Sequence, residues 1–241
     1  MLQADIIIIG GGILGLATAY QFKIDYPRLK IILLEKESQL AKHQTSHNSG
    51  VLHSGIYYKP GSQKALNCIK GKSLLEEFCI KEGVDFKICG KVIVATSANE
   101  LSNLKSIYQQ GIKNGIRCKM IGLEKLKELE PHVTGVKALH VPETGIIDYR
   151  EVCYKFEELI LQHEGNKIIC SSKVISIKKF GKDFSVETNK DEYTSKYIVN
   201  CAGLYSDKYG VKIFTATGLL LSGIGLIMLG FMNAETSFLY L

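Results

Sequence analysis

A β-branched run followed at once by clustered glycines opens the chain. Residues 4–9 (Ala-Asp-Ile-Ile-Ile-Ile) have the length and composition of a central parallel strand that helices cover on both faces. Gly10, Gly12 and Gly15 follow with G-x-G-x-x-G spacing. The first allows a tight turn, the second lets a pyrophosphate approach the backbone, and the third lets helix and strand pack closely. The opening therefore predicts a β-α-β unit that holds a dinucleotide at a helix N-terminus.

The next predicted strand, Lys30 to Leu34, ends on an acid. Glu35 lies 20 residues after Gly15. An acid at this point accepts hydrogen bonds from the adenosine ribose hydroxyls and repels a 2′-phosphate, so NADP is disfavoured. The glycine motif and the acid together leave NAD and FAD open.

A polar, glycine-containing segment at residues 43–58 follows the acid-bearing strand. Its hydroxyl and amide groups can run beside a nucleotide and donate hydrogen bonds to phosphate oxygens and a flavin ring, which favours FAD over NAD. The alternative is a turn that is merely rich in small polar residues. The cofactor contacts predicted within this segment are Thr45, Ser46, Ser49 and Gly50.

Charge and cysteine content argue against several other classes of protein. The net charge of +6 comes from lysines scattered among acids, without the basic stripe, helix-turn-helix or zinc-finger spacing typical of nucleic-acid binding. This balance suits a small anionic substrate. Seven cysteines without a C-x-x-C pair argue against a disulfide framework and a zinc site, so we expect no metal. Together with an apolar start that lacks a basic leader, they indicate a cytoplasmic protein.

Two segments resemble one superfamily of flavoenzymes. His-Asn-Ser-Gly-Val-Leu-His-Ser-Gly-Ile-Tyr-Tyr-Lys-Pro-Gly-Ser at residues 47–62 resembles the second flavin-contacting segment of the D-amino-acid-oxidase-like FAD-dependent oxidoreductases, in particular their L-2-hydroxyglutarate oxidase/dehydrogenase branch. Residues 200–207 resemble the N-x-A-G-x-x-S-D segment of the same family. The resemblance implies an α/β fold: a glutathione-reductase-like Rossmann FAD-binding domain with an α+β insert that forms a second, smaller substrate domain.

The resemblance also implies a reaction and roles for single residues. It implies that the complete enzyme oxidises a small 2-hydroxy acid, L-2-hydroxyglutarate, to 2-oxoglutarate, with oxygen or a membrane quinone as electron acceptor. His53 would be the base that takes the hydroxyl proton, the alternative being a histidine that only satisfies local hydrogen bonds. Val174 would supply a backbone contact to adenine. Ala202 and Gly203 would leave room for the dinucleotide.

The pattern of elements divides the chain into four parts. Residues 1–84 and 143–210 are predicted to form the FAD-binding domain, residues 85–142 part of the substrate-binding domain, and residues 211–241 an apolar tail. The predicted elements include helices at 64–82 (ended by Gly83), 100–114, 123–129 and 149–163 (capped by Asp148), a strand at 167–170, a three-stranded meander over 174–194 and a separate strand from 197.

The resemblance stops near Gly210. Residues 213–232 carry no charge over 20 positions, which is long enough to span a bilayer. A membrane anchor, a translated frameshift or truncation, and a buried helix are the alternatives for this tail. Members of the resembled family continue further and supply a late glycine-rich segment that contacts the flavin ring. A truncated, non-catalytic nucleotide-binding remnant is therefore the alternative to an active enzyme, and an NAD-dependent dehydrogenase is a third hypothesis.

Overall fold

The computed structural model describes residues 2–203. The predicted tail at 211–241, its uncharged stretch at 213–232, and Ser206 and Asp207 of the family-like segment lie outside the described residues. Within residues 2–203, no helix combines the length and the apolarity that a membrane crossing requires.

Short strands and helices alternate along the described chain. In chain order they are β1 (Leu2–Ile9), α1 (Ile13–Asp25), β2 (Ile31–Leu34), β3 (Val51–Leu52), α2 (Gln63–Glu82), β4 (Phe86–Lys87), β5 (Lys91–Ala95), a 3-10 turn (Ala98–Glu100), α3 (Leu101–Lys113), β6 (Lys119–Ile121), α4 (Leu123–Leu129), β7 (Lys137–Val141), β8 (Gly145–Ile147), α5 (Tyr149–Leu161), β9 (Lys167–Ile169), β10 (Val174–Phe180), β11 (Asp183–Thr188) and β12 (Glu192–Asn200).

The chain divides into two compact units, the second of which is Ser49–Ile147. The first unit is built from the residues before and after it. The predicted domain boundary after residue 84 thus differs from the edge of the compact unit at Asn48. Strand pairing explains the difference, because β3 joins a sheet with β8, and Ile56 is buried with Leu104 and Leu139 in one core cluster.

The first unit is organised around β1. Its six-stranded sheet has the order β10-β11-β12-β1-β2-β9, and β1 pairs in parallel with both β12 and β2. Ile7 and Ile8 point to opposite faces of the sheet, and neither has any exposed surface. The unbroken isoleucine run is therefore explained by a strand that is covered on both faces.

Two helices of the first unit flank this sheet. The small side chains of Ala17 and Ala19 lie on the buried face of α1, and the Tyr20 ring packs 5.1 Å from the Phe156 ring of α5. The Asp148 carboxylate accepts a hydrogen bond from the Arg150 amide at 2.8 Å, which confirms its prediction as the α5 cap. The strand predicted before the meander is β9, and it pairs in parallel with β2.

The predicted meander is confirmed, with one correction. Strands β10, β11 and β12 pair antiparallel in sequence order. The sequence separated residues 192–194 from a further strand that starts at Tyr197, whereas β12 is continuous from Glu192 to Asn200. The two pairings overlap along this strand, since Ser195 faces Phe184 of β11 on one side and Ala4 of β1 on the other.

The second unit contains two small antiparallel sheets, with strand orders β3-β8-β4 and β5-β7-β6. The helices predicted at 64–82 and 123–129 are present as α2 and α4. Gly83 ends α2 in the left-handed conformation with φ +70°, as predicted. The helix predicted over 100–114 is α3, which begins one residue later, after the 3-10 turn.

Candidate functional site

The first glycine of the motif makes the turn at the end of β1. Gly10 has φ +111°, which L side chains rarely adopt, and its amide donates to the Leu34 carbonyl at 2.8 Å. A Cβ built on Gly10 would lie 2.3 Å from the Cys201 carbonyl oxygen. Only glycine therefore lets the carboxyl ends of β1 and β12 come together here.

The other two glycines have different surroundings. A Cβ on Gly15 would lie 1.9 Å from the Gly10 carbonyl oxygen, so α1 rests directly on the turn. A Cβ on Gly12 would meet only the Thr45 hydroxyl, at 3.3 Å, among the described residues. The backbone at Gly12 is thus open to the close approach of a pyrophosphate, as predicted from its place in the motif.

The N-terminus of α1 is built to receive an anion. Its cap, Gly12, supplies no side-chain hydrogen bond. The Thr45 hydroxyl accepts from the Ile13 amide at 3.1 Å and keeps its own proton to donate. The first-turn amides of a helix have no partner within the helix, and its dipole favours negative charge. A phosphate at this position would satisfy both.

Glu35 lies beside the same turn. It is 7% exposed, and its two oxygens accept from the Gly11 amide at 2.6 Å and the Glu37 amide at 2.8 Å. A carboxylate has about four lone-pair sites, so acceptor capacity remains for ribose hydroxyls. The geometry fits the predicted contact and shows a second role for the acid, which fixes the glycine turn.

The segment before β10 is tied to the end of β2. The Ser171 amide donates to the Glu37 carbonyl at 2.7 Å, and the Ser172 amide donates to the Glu35 carbonyl at 2.8 Å. These bonds bring the start of β10, and with it Val174, to the acid-bearing end of β2. The buried Ser172 hydroxyl has no hydrogen-bond partner within residues 2–203, and sequence reasoning did not single it out.

The end of β12 closes the other side of the turn. The Cys201 amide donates to the Ile9 carbonyl at 2.7 Å, and the Asn200 side chain accepts from the Ala202 amide at 3.1 Å. Gly203 has φ +82°, and a Cβ there would meet no described atom within 4 Å. The glycine motif at residues 10–15 and the family-like segment at residues 200–203 thus meet at one place.

These contacts define a site in the first unit that we call the cofactor cradle. It contains most of the predicted cofactor residues. The glycines, the acid, the hydroxyl of Thr45 and the small residues after β12 fit the predicted dinucleotide, whose phosphates would lie at α1, its ribose at Glu35 and its adenine near Val174. The predicted residues within the cradle are Gly10, Gly12, Gly15, Glu35, Thr45, Val174, Ala202 and Gly203.

Three other predicted cofactor contacts have different surroundings. The Ser46 hydroxyl donates a hydrogen bond to the Ala41 carbonyl. Ser49 and Gly50 belong to the second unit, where the Gly50 carbonyl accepts from the Ile147 amide at 2.8 Å. A Cβ on Gly50 would lie 3.0 Å from the Ile147 carbonyl oxygen, so this glycine has a structural reason of its own.

The predicted base, His53, also lies in the second unit, within a cluster of titratable side chains. The Cys68 thiol donates to the His53 carbonyl at 3.4 Å, and the Lys91 ammonium lies 4.4 Å from the centre of the Tyr57 ring. His53 is exposed by its total area, but partial burial of the imidazole, and then the charge of Lys91, lower its pKa. Sequence reasoning did not find Lys91 or Cys68, because neither belongs to a recognisable motif.

Comparison with known proteins also indicates an FAD-binding protein. Residues 5–220 match the family described as FAD dependent oxidoreductase. The L-2-hydroxyglutarate dehydrogenase of Indibacter alkaliphilus is 47% identical over 205 residues, which are 85% of this chain and 51% of that protein. The mitochondrial L-2-hydroxyglutarate dehydrogenase of Bos taurus is 42% identical over 217 residues, which cover 85% of this chain and 47% of that protein. The chain thus spans about half the length of the curated relatives it matches.

A solved structure gives the same result for the fold. The dithionite-reduced L-alpha-glycerophosphate oxidase of Mycoplasma pneumoniae, with FAD bound, superimposes with a TM-score of 0.79 at 31% identity, covering 86% of this chain and 56% of the other. These matches confirm the α/β FAD-binding fold, and they confirm FAD as the cofactor predicted from the sequence. The family match covers most of the chain, including the glycine motif at residues 10–15 and the segment at residues 200–203. This chain therefore belongs to the FAD-dependent oxidoreductase family.

Proposed function

We propose that this chain carries out, or is part of an enzyme that carries out, the FAD-dependent oxidation of L-2-hydroxyglutarate to 2-oxoglutarate. The observation that carries the proposal is the likeness to the L-2-hydroxyglutarate dehydrogenases, which extends over 85% of the chain. The L-alpha-glycerophosphate oxidase acts on a different alcohol, and its sequence identity to this chain, 31%, is lower than that of the dehydrogenases. The sequence comparison therefore favours the 2-hydroxy acid.

The reaction removes two electrons and two protons from a secondary alcohol. The hydrogen on the α-carbon leaves as a hydride, the hydroxyl loses its proton, and the carbon-oxygen bond becomes a carbonyl. FAD, when bound, supplies the two-electron acceptor for the hydride. The protein must hold the carbon in place, exclude water and take the hydroxyl proton.

His53 is the proposed base for that proton. A base must be neutral at the working pH, and the pKa of His53 is held below its ordinary value by partial burial and by the charge of Lys91. Its acceptor nitrogen is therefore available at neutral pH. Protonation of His53 after the reaction adds a second positive charge beside Lys91, which helps to return the proton to solvent.

The electron acceptor and the location of the protein belong to the same proposal. The electron acceptor would be oxygen or a membrane quinone, and the protein would be cytoplasmic, with membrane association through residues 213–232. Anaerobic reduction followed by addition of oxygen or of a short-chain quinone separates the two acceptors by the rate at which the oxidised flavin band returns.

The proposal is tested by visible spectroscopy of the purified full chain. L-2-hydroxyglutarate added without oxygen should bleach the flavin band, whereas D-2-hydroxyglutarate should not. His53→Gln should keep the flavin band and lose the bleaching, with a rate loss of about 10²–10⁴-fold, the usual contribution of a general base. A flavin band that L-2-hydroxyglutarate leaves unchanged would overturn the substrate assignment. The absence of any flavin band would favour the non-catalytic alternative.

A further inference from the structure

Lys91 is a partly buried cation without an anionic partner in the part of the chain that the structure describes. Its ammonium lies 4.4 Å from the centre of the Tyr57 ring. Within residues 2–203, no carboxylate oxygen lies within 4.0 Å of it, although other lysines of the second unit, such as Lys72, Lys81 and Lys125, have such partners. Among the described residues, Lys91 therefore has an aromatic face beside its ammonium and no counter-ion.

Burial makes this arrangement unfavourable in the absence of a ligand. Removing an ammonium from water costs free energy unless an opposite charge or hydrogen bonds replace the water, and a single aromatic face replaces only part of it. The pKa of Lys91 accordingly lies below its ordinary value, mainly because of desolvation, with an opposing effect from Cys68. A negatively charged group bound next to the ammonium would remove the penalty.

The location of Lys91 indicates what such a group would be. Its positive charge acts on both His53 and Cys68, and the Cys68 thiol bonds to the backbone of His53 at 3.4 Å. Lys91 thus lies over a ring that is four residues along the chain from the proposed base. Tyr57 and His53 are both exposed on the second unit, so the cluster is accessible from solvent.

We propose that Lys91 binds a carboxylate of the 2-hydroxy acid substrate and holds that substrate beside His53. This inference rests on the proposed function and adds to it a residue that determines specificity for acids. A flexible ammonium on an aromatic face can donate up to three hydrogen bonds, enough to hold a carboxylate while the base takes the proton from the neighbouring hydroxyl.

The test uses the full chain with two substitutions at one position and one control. Lys91→Met removes the charge and keeps the length of the side chain, and Lys91→Arg keeps the charge. Lys125→Met makes the same change at an exposed lysine of α4 that pairs with Glu128. Calorimetric titration with glutarate, an unreactive dicarboxylate, measures anion binding independently of turnover, and KM and kcat for L-2-hydroxyglutarate are measured in parallel.

We expect Lys91→Met to weaken glutarate binding and raise KM by about tenfold or more, the usual loss for one charged hydrogen bond, with a smaller change in kcat. Lys91→Arg should recover most of the loss, and Lys125→Met should match the unsubstituted chain. Thermal unfolding of each variant verifies that it is folded. Unchanged glutarate affinity and KM in Lys91→Met would overturn the inference.

The result also separates this inference from the proposed function. If Lys91→Met only shifted the pH profile of kcat/KM and left glutarate affinity intact, Lys91 would act solely on the pKa of His53, and the carboxylate assignment would be wrong. An unsubstituted chain that binds glutarate through Lys91 but does not oxidise L-2-hydroxyglutarate would overturn the proposed reaction and keep the anion site. If the chain oxidises L-2-hydroxyglutarate and KM does not change on substitution of Lys91, the anion site would be overturned and the proposed reaction kept.

Discussion

The Glu35 carboxylate accepts a hydrogen bond from the Gly11 amide across 2.6 Å, so the acid that ends β2 is fixed to the turn that ends β1. Its second oxygen accepts from the Glu37 amide. The side chain is buried, and the bond to Gly11 is shielded from water, whereas the bond to Glu37 is only partly buried. One residue thus stabilises the cradle and would present its remaining lone pairs to a ribose.

Glu35→Gln should weaken both functions. A glutamine has one acceptor oxygen, so its amide group would face one of the two backbone donors and leave it unsatisfied. We expect a loss of about 1–3 kcal/mol in the free energy of unfolding and weaker FAD retention. Glu37→Gln is the matched control, because that partly exposed carboxylate pairs with His43 and its loss should leave stability nearly unchanged. Urea unfolding and the flavin-to-protein absorbance ratio measure the two effects, and equal behaviour of the two variants would contradict this account of Glu35.

Alanine at two glycines of the motif should separate cofactor binding from folding. Gly15→Ala would place a methyl group 1.9 Å from the Gly10 carbonyl oxygen, so we expect destabilisation by more than about 3 kcal/mol or failure to fold. Within residues 2–203, the new methyl group of Gly12→Ala would meet only the Thr45 hydroxyl, at 3.3 Å, and Gly12 has φ −81°, so stability should change by no more than about 1 kcal/mol. The new methyl group would instead occupy the space that the pyrophosphate needs. A folded Gly12→Ala variant that retains FAD fully would show that the phosphates do not approach Gly12.

Substitution of Thr45 should show that a residue distant in the sequence caps the N-terminus of α1. Thr45→Val removes the oxygen that accepts from the Ile13 amide, and the loss should be about 1 kcal/mol, as for other helix caps. Thr45→Ser keeps the oxygen and should retain both stability and FAD. Identical urea midpoints for the two variants would mean that the hydroxyl is not a cap.

The sequence predicted the elements that follow strong local rules. An isoleucine run, a left-handed Gly83 and an acid before α5 each have a physical signal within a few residues, and the corresponding elements are found. The cradle was predictable for the same reason, since Gly10, Gly15 and Glu35 obey a fixed spacing along the chain. The bond from Gly11 to Glu35 and the cap from Thr45 to Ile13 were not predictable, because they join distant segments.

Features of the second unit gave weaker signals. Strands β3 and β4 have only two residues each, too few to show alternation, and they pair with β8 from far along the chain. The edge of the unit at residue 49 depends on that pairing and on the burial of Ile56. Lys91 is one lysine among many in the sequence, and only its position over Tyr57 distinguishes it.

The cysteines provide a test of the packing where β12 meets the glycine turn. Burial raises the pKa of Cys201 to about 11, against the opposing effect of a hydrogen bond with Thr18, and raises the pKa of Cys153 in α5 to about 12. Because the thiolate is the reactive form, a pKa near 11 leaves about one Cys201 in a thousand or fewer ionised at pH 7.5. Cys89 in the second unit is an exposed free thiol and serves as the reference.

We therefore expect iodoacetamide at pH 7.5 to label Cys89 first and to leave Cys201 and Cys153 largely unmodified, as measured by mass spectrometry of the digested chain. Raising the pH to 9.5 should increase the reactive fraction of Cys201 by roughly a hundredfold, since thiolate content rises tenfold per pH unit below the pKa. In urea all three should react at similar rates, which controls for the reagent. Rapid labelling of Cys201 in the native chain at pH 7.5 would contradict its partial burial beside Gly10 and Gly15, because the thiol would then have to be open to water where the end of β12 meets the glycine turn.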